Sequence, residues 1–311
     1  MQDFTEHNLT QAVISRMAEC REERLREVMT RLVEHVHAFV REVRPSPEEW
    51  LAAIEFLTRT GQISDRQRQE YILLSDTLGI TMLVDAVQHA ALEQGTASAA
   101  TEREDRALRA TESSVLGPFY VEGAPELPAG ANLAQRAGEP LLVRGRVLSV
   151  DGAPLAGAVL DVWQNDSNGL YDVQDPGQPQ PHLRGKFRSD AAGHYHFRTV
   201  RPVSYPIPTD GPVGKLLSRL GRHPYRPAHV HFMVSAPGHR SVVTELFDAG
   251  DAYLETDVVF GVKRSLVVRL EPCAPNVEST SEREPSVRKQ SGLVLDYDFV
   301  LQPAPYLASR G

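Results

Sequence analysis

The stretch Arg226-Pro-Ala-His-Val-His-Phe-Met-Val234 decides the fold of the second half of this chain. Side chains two residues apart in a β-strand point to the same face, so a strand here places His229 and His231 together, opposite its apolar side chains. Burying two imidazoles in an otherwise apolar strand is costly unless they have partners. The pattern therefore predicts a strand with a metal-binding pair, although the spacing alone leaves an ordinary structural role open.

The same His-x-His spacing occurs twice more, and in both places we interpret it as structural. His35 and His37 lie on a predicted helix, where residues two apart point about 200° away from each other and cannot share a metal ion. His194 and His196 follow a glycine turn in a predicted hairpin and have charged neighbours, which is typical of an exposed ribbon.

Composition limits the classes of protein to consider. The 311 residues suggest about two domains, and the net charge of -8 argues against a nucleic-acid partner. Cys20 and Cys273 are far apart in the sequence, which favours free thiols in a reducing compartment. The first residues show no secretory signal, and no apolar run approaches the roughly 18 residues of a membrane span. We therefore predict a cytoplasmic protein with neither a membrane nor a nucleic-acid partner.

The first part of the chain, from residue 9 to about 95, is predicted to be helical. Apolar side chains recur at three- and four-residue steps across residues 25–43, opposite a charged face. We predict that this helix ends before the Pro-Ser-Pro sequence and that Ser46 caps the next one. Two further helices are predicted to begin at Ser64 and at Met82.

After about residue 115 the pattern changes to short apolar or alternating runs separated by turn sequences. These runs span residues 141–150, 158–164, 194–200, 229–235, 241–247, 265–270 and 293–300. Their spacing favours an antiparallel β-sandwich over a parallel α/β sheet. The predicted class is therefore α+β, with helices in residues 1–112, including a polar linker over 96–112, and strands in residues 113–311.

The identity of a bound metal stays open on the residues alone. A zinc hydrolase would combine the histidine pair with a carboxylate such as Glu245 on the next predicted strand. Tyr171 and Tyr205 offer an alternative, because a phenol with a pKa of about 10 ionises only on a strongly Lewis-acidic ion such as Fe(III). Both tyrosines lie in long connections, 165–185 and 201–228, of the kind that is usually functional. Each tyrosine could equally be a packing residue.

From about Leu116 to Val268 the chain resembles the intradiol ring-cleaving dioxygenases, the catechol and hydroxyquinol 1,2-dioxygenases. The matching stretches are Leu116-Gly-Pro-Phe-Tyr120, Asp161-Val-Trp-Gln-Asn-Asp166, Gly169-Leu-Tyr171, Leu220-Gly-Arg-His-Pro-Tyr-Arg-Pro-Ala-His-Val-His-Phe232, Ala236-Pro-Gly-His239 and Ala249-Gly-Asp-Ala-Tyr-Leu254. The helical first hundred residues resemble the dimerisation domain of the same family. The resemblance implies a helical dimerisation domain with its linker in residues 1–112 and a mainly antiparallel β-sandwich catalytic domain in residues 113–311.

The resemblance also implies a metal site, with one Fe(III) per subunit. Its ligands would be Tyr171, Tyr205, His229 and His231. Tyr205 matches the tyrosinate that substrate displaces, and Arg226 matches the arginine that lies over the substrate ring, so both are expected to be catalytic. The substrate pocket would be lined by Leu73, Asp76, Val115, Gly117, Pro118, Arg226 and Glu245. Glu245 is a departure, because catechol enzymes carry a neutral glutamine there.

The stretch Leu73-Leu-Ser-Asp-Thr-Leu-Gly79 resembles the hydroxyquinol type, with Asp76 where catechol enzymes tend to have proline. A carboxylate there could accept a hydrogen bond from a third ring hydroxyl, and such a site discriminates strongly. We expect cleavage of hydroxyquinol (benzene-1,2,4-triol) by O2 to 3-hydroxy-cis,cis-muconate or maleylacetate, in aromatic degradation. Catechol or a substituted catechol, giving cis,cis-muconates, is the main alternative.

Two readings from other classes remain open: a non-catalytic β-sandwich binding module and a zinc hydrolase. The resemblance further implies a homodimer formed through the helical domain, and a phospholipid bound in that region.

Overall fold

The computed structural model describes residues 3–65, 68–97, 108–273 and 292–304. Contacts group the chain into two compact units, Met1–Arg59 and Thr60–Gly311. Most of the predicted linker lies outside the described residues, and the predicted domain boundary at residue 112 stays a prediction. A helical first part followed by a β-rich remainder confirms the coarse α+β prediction.

The first unit is helical. It contains α1 (Leu9–Ser15), α2 (Glu23–Val43) and the start of α3 (Pro47–Ile63). The N–H of Glu49 donates to Ser46 Oγ at 3.2 Å, and the N–H of Ser46 donates to Glu49 Oε2 at 2.8 Å, so Ser46 caps α3 as predicted. The apolar stripe of α2 is exposed on this chain. It comprises Leu25, Val28, Met29, Leu32, Val36, Phe39, Val40 and Val43.

The second unit contributes α4 (Glu70–Thr77), α5 (Ile80–Ala97) and α6 (Pro212–Arg219). The prediction that Ser64 begins a helix is wrong. Its hydroxyl donates back to the Thr60 carbonyl at 2.7 Å near the end of α3, and the next helix begins only at Glu70. Within the described part of the chain, no helix is long and apolar enough to cross a lipid bilayer.

Among the residues that the structure describes, the strands of the second unit form two five-stranded sheets and one two-stranded sheet. The strands are β1 (Pro140–Ser149), β2 (Val159–Trp163), β3 (Arg184–Arg188), β4 (His194–Val200), β5 (Tyr205–Pro206), β6 (Tyr225–Arg226), β7 (His229–Ser235), β8 (Val242–Asp248), β9 (Val267–Val268), β10 (Glu271–Pro272), β11 (Leu293–Asp296) and β12 (Phe299–Leu301). The first sheet has the order β10-β11-β1-β12, with β4 also paired to β1, and the second has the order β3-β2-β7-β8-β9. Strand β5 pairs with β6.

Pairing within the sheets is mixed. Strand β1 runs parallel to β11 and β12, and β8 runs parallel to β9. The other ladders among the described strands are antiparallel, including the β2-β7-β8 centre of the second sheet.

The main hydrophobic core joins side chains of both five-stranded sheets. Phe187 of β3 stacks on Phe197 of β4 at a centroid distance of 4.7 Å, and Phe197 lies 6.2 Å from Phe232 of β7. Val230 and Phe232 are fully buried in this core. By strand alternation, the other face of β7 presents its two histidines away from the core.

Candidate metal centre

Strand β7 places the His229 and His231 rings side by side, 4.7 Å apart. Its neighbours fix their surroundings: His231 pairs in register with Trp163 of β2 and with Glu245 of β8. The Trp163 ring stacks on the His231 imidazole at 4.7 Å and 7°. His229 Nδ1 donates to the Pro227 carbonyl at 2.7 Å, which leaves its Nε2 as an acceptor 3.1 Å from His231 Nε2.

Tyr171 and Tyr205 reach the same place from two connections. Tyr205 lies in β5, where it pairs in register with Arg226 of β6. Tyr171 follows a turn after β2, and its N–H donates to the Gln174 side chain at 3.1 Å. The two phenol rings are 5.6 Å apart; the Tyr205 ring is also 5.6 Å from the His229 ring, and the Tyr171 ring is 6.2 Å from the His231 ring. The structure therefore brings together all four predicted ligands.

Burial controls the protonation of these four side chains. It raises the pKa of Tyr171 well above the ordinary value, and the nearby Tyr205 raises it further. Burial also raises the pKa of Tyr205, although the Arg226 guanidinium opposes this effect. Burial and Arg226 lower the pKa of His229, while burial and His229 lower that of His231 well below its usual range. The imidazoles are therefore neutral donors, and only a strongly Lewis-acidic cation would ionise the phenols.

The donor set fits such a cation. Both phenols and both imidazoles are at most 2% exposed. The Tyr171 hydroxyl has no acceptable hydrogen-bond partner among the described residues, although buried polar atoms normally have one. Hard phenol oxygens combined with imidazole nitrogens suit a ferric ion better than a soft metal.

A buried charge network lies beside the histidines. Arg226 donates from Nη1 to Glu245 Oε1 at 2.6 Å and from Nη2 to Glu245 Oε2 at 2.9 Å. Its Nε donates to Asp257 Oδ1 at 3.2 Å. Burial opposes the charge on Arg226, but Asp257 and Glu245 outweigh it and raise the Arg226 pKa well above the ordinary value. Burial likewise opposes ionisation of Glu245, but Arg226 and His229 outweigh it and leave the Glu245 pKa below its ordinary value.

Glu245 could also serve as a metal ligand by position. Its carboxylate and the nitrogens of His229 and His231 lie within 4.8 Å of one another. Both of its oxygens, however, already accept hydrogen bonds from Arg226, and Ser114 Oγ donates to Oε2 at 2.7 Å. This engagement argues against the zinc site considered from the sequence, because ligation would compete with three buried hydrogen bonds.

The predicted pocket residues fall into three groups. Leu73 and Pro118 line one pocket of about 210 Å³, together with Phe119, Val173 and other residues. Gly117 lies against His231, because a Cβ added there would be 3.2 Å from His231 Cε1. Arg226 lies next to His229, and Glu245 lies next to both histidines. Asp76 and Val115 are buried as well, and the Asp76 carboxylate interacts electrostatically with Arg226 and Glu245. Asp76 accepts a hydrogen bond from the Thr81 hydroxyl at 2.6 Å, and burial raises the Asp76 pKa.

Sequence reasoning missed several residues around this centre. Asp257 holds Arg226, Ser114 holds Glu245, and Trp163 and Phe119 cover the His231 and Tyr171 rings. Only Trp163 carries a usable signal, since a large aromatic side chain in a buried strand next to the histidine strand is expected to pack on it.

Comparison with known proteins identifies similar chains. Residues 115–303 match the family described as "Dioxygenase", and residues 22–96 match the family described as "Catechol dioxygenase N terminus". The chain is 46% identical to a 6-chlorohydroxyquinol 1,2-dioxygenase of Cupriavidus pinatubonensis, over 97% of this chain and 99% of that protein. It is also 46% identical to a hydroxyquinol 1,2-dioxygenase of a Rhizobium species, over 96% of each chain.

Two solved structures are similar over nearly the whole chain. The hydroxyquinol 1,2-dioxygenase of Pseudomonas putida has a TM-score of 0.83 and 45% identity, covering 96% of this chain and 99% of that one. The catechol 1,2-dioxygenase of Pseudomonas arvilla has a TM-score of 0.80 and 28% identity, covering 98% and 94%.

Proposed function

Because this chain belongs to the intradiol ring-cleaving dioxygenase family, we propose that it cleaves hydroxyquinol with O2 to 3-hydroxy-cis,cis-muconate or its keto form, maleylacetate. The relatives at 46% identity are named for hydroxyquinol or its 6-chloro derivative. Catechol 1,2-dioxygenases are less similar, at 39% identity for that of Candida albicans and 28% for the Pseudomonas arvilla structure. The observation that carries this proposal is the buried convergence of two phenols and two imidazoles beside a fixed arginine. Catechol or a substituted catechol is the second candidate.

We propose that one Fe(III) per subunit is held by Tyr171, Tyr205, His229 and His231. The family is dependent on non-haem iron, and the donor set described above fits the ferric ion. The engagement of Glu245 by Arg226 supports this four-residue set over a zinc site of two histidines and a glutamate.

The protein's own groups have distinct roles in the proposed reaction. When bound, the ferric ion would supply the Lewis acidity and redox chemistry that the reaction of a diol with O2 requires. Tyr205 would hold the ferric ion as a phenolate, and its Oη would then be the base that takes up a proton from a substrate hydroxyl. Arg226, fixed next to His229, stabilises negative charge that develops on the substrate. Phe119 and Trp163 cover the Tyr171 and His231 rings and exclude water from the reacting groups.

We propose that Asp76 selects the third ring hydroxyl. Its carboxylate is 2% exposed and interacts electrostatically with Arg226, which supports a position close to the substrate. Asp76→Ala should lower kcat/KM for hydroxyquinol more than for catechol, by about 10-fold or more, because an unpaired buried hydroxyl is costly. An unchanged ratio of the two specificity constants would remove Asp76 from the selection of substrate.

Oxygen incorporation tests the proposed reaction. The iron-loaded protein is supplied with hydroxyquinol under ¹⁸O₂, and the product is analysed by mass spectrometry. We expect a ring-opened dicarboxylate that carries both labelled atoms, and slower turnover with catechol. Faster turnover of catechol would favour the second candidate, and no oxygen uptake with either diol would contradict the dioxygenase proposal.

We also propose that the two five-stranded sheets form a mainly antiparallel β-sandwich, which the contacts of Phe197 with Phe187 and Phe232 support.

The exposed stripe of α2 supports a homodimer formed through the helical part, since so many apolar side chains along one helix favour a covered interface. Sedimentation at micromolar concentration should give twice the mass of 34.4 kDa. A monomer would contradict the dimer, and a co-purifying phospholipid would identify another occupant of the stripe. The cytoplasmic location stays a prediction.

A further inference from the structure

The Arg226 guanidinium has every N–H directed at a side chain of the described residues. Nε donates to Asp257 Oδ1 at 3.2 Å, and Nη2 donates to Glu245 Oε2 at 2.9 Å and to Asp257 Oδ2 at 3.3 Å. Nη1 donates to Glu245 Oε1 at 2.6 Å and faces His229 Nε2 at 3.3 Å. A guanidinium has five N–H groups, so two carboxylates take four of them and one is left facing the histidine nitrogen.

We propose that Glu245 and Asp257 are positioning residues. Their hydrogen bonds to two edges of the Arg226 guanidinium, here called the carboxylate grip, direct its remaining Nη1 N–H toward the ligand bound at the metal centre. This inference rests on the proposed function, because His229 Nε2 is the acceptor of that N–H only while it binds no metal. Once that nitrogen ligates iron, the N–H is free to donate to substrate. A donor held in place before the reaction needs no reorganisation as charge develops.

The residues around the carboxylate grip leave the Arg226 and Glu245 side chains little freedom to move. Ser114 Oγ lies 2.7 Å from Glu245 Oε2 and 2.9 Å from the Gly261 carbonyl oxygen. A Cβ at Gly261 would come within 2.8 Å of Arg226 Nη2 and 3.0 Å of Glu245 Oε2, so the backbone closes directly over the ion pair. The charge of Glu245 is therefore used in holding Arg226, which gives a reason for a carboxylate at a position where a neutral glutamine was the expectation for catechol enzymes.

The test compares Glu245→Gln and Asp257→Asn with a matched control. Each substitution keeps the shape of the side chain, removes the charge and presents an N–H₂ where Arg226 needs an acceptor. Asp248→Asn is the control: Asp248 is also a buried carboxylate of β8, and it accepts from Arg201 Nε at 3.0 Å and Nη2 at 2.7 Å, outside the centre. The readouts are iron content, the tyrosinate-to-iron absorption band, and kcat and KM measured separately.

We expect E245Q and D257N to retain one iron and the resting absorption band. Their kcat should fall about 10- to 100-fold, with KM changed less than about threefold, because an aimed donor acts mainly on the transition state. The D248N control should lose stability but keep kcat. If E245Q does not fold, D257N tests the same inference, because Asp257 holds the other edge of the Arg226 guanidinium.

Three outcomes would overturn the inference. The first is an unchanged kcat in either site variant, and the second is an equal fall of kcat in D248N. The third is loss of iron from E245Q, which would indicate that Glu245 is a metal ligand. A wild-type protein that binds iron but cleaves no diol would instead overturn the proposed function, and this inference with it.

Discussion

Gly117 packs against a proposed iron ligand, and replacing it with alanine should weaken iron binding without a matching loss of fold stability. Its φ is +71°, and an added Cβ would lie 3.2 Å from His231 Cε1 and 3.5 Å from Nε2. Ordinary carbon–carbon contacts are about 3.5–4.0 Å, so the imidazole must move by a few tenths of an ångström. His231 Nε2 is 3.1 Å from His229 Nε2, so a movement of the His231 ring changes the distance between these two nitrogens.

Gly238 provides the matched control, because its φ is +73° and a Cβ there meets nothing within 4 Å. A left-handed alanine costs about 1–2 kcal/mol, and the lower entropy of its unfolded chain returns about 0.4–1 kcal/mol. Both variants should therefore lose about 1 kcal/mol, or roughly 2–4 °C of melting temperature in a unit of this size. Only Gly117→Ala should also lose iron affinity, by about 10- to 100-fold, as is typical when the support of a ligand changes.

Two measurements separate these effects. Thermal unfolding of the metal-free proteins gives the cost of the backbone, and competition with a ferric chelator gives the relative iron affinity. Equal iron affinity in the Gly117 and Gly238 variants would refute the reasoning, because the contact with His231 is the difference between them.

Three further predictions concern the loop that carries Tyr171, the buried Asp76 and the metal. Asp172→Asn weakens the buried ion pair with Arg184, whose Nε lies 2.9 Å from both carboxylate oxygens, so the free energy of unfolding in urea should fall by about 3 kcal/mol. The control Glu126→Gln, in an exposed pair with Arg188, should cost far less, and equal losses would contradict this. Burial raises the pKa of Asp76 above 3.8, so its ionisation opposes folding as the pH rises past that value. The stability of Asp76→Asn relative to wild type should therefore increase as the pH is raised from 3.8 through the folded-state pKa of Asp76. A stability difference that does not change with pH would rule this out. Removing iron should lower the melting temperature, since only the folded state holds the four ligands together; this shift should shrink in Tyr171→Phe, and a shift of the same size in both proteins would exclude Tyr171 as a ligand.

Local periodicity predicted the regular elements well. The predicted strands at 194–200 and 229–235 match β4 and β7 residue for residue, and the predicted cap at Ser46 is present. Strand β3 was not predicted, because Arg184-Gly-Lys-Phe-Arg188 is mostly polar and its pairing with β2 comes from the tertiary fold. Ser64 has the right residue type for a helix start, but its hydroxyl is used by the preceding helix.

The residues of the candidate site were also only partly predictable from local sequence patterns. Strand alternation placed His229 and His231 on one face, whereas the two tyrosines needed the resemblance to a family, because each lies in a connection without periodicity. The grip on Arg226 was not predicted. Ser114 meets Glu245 across 131 residues of sequence, and Asp257 lies 31 residues from Arg226. No local pattern specifies such long-range contacts, which depend on how the strands and loops pack.

The visible spectrum of the iron-loaded protein tests the central claim most directly. The spectrum is recorded without oxygen, before and after addition of hydroxyquinol and, separately, of catechol. A centre of two tyrosinates and two histidines predicts a broad tyrosinate-to-iron absorption band, with a burgundy colour that shifts when hydroxyquinol binds. A protein that stays colourless after reconstitution with iron would contradict the Fe(III)–tyrosinate centre and the ring-cleaving function proposed for it.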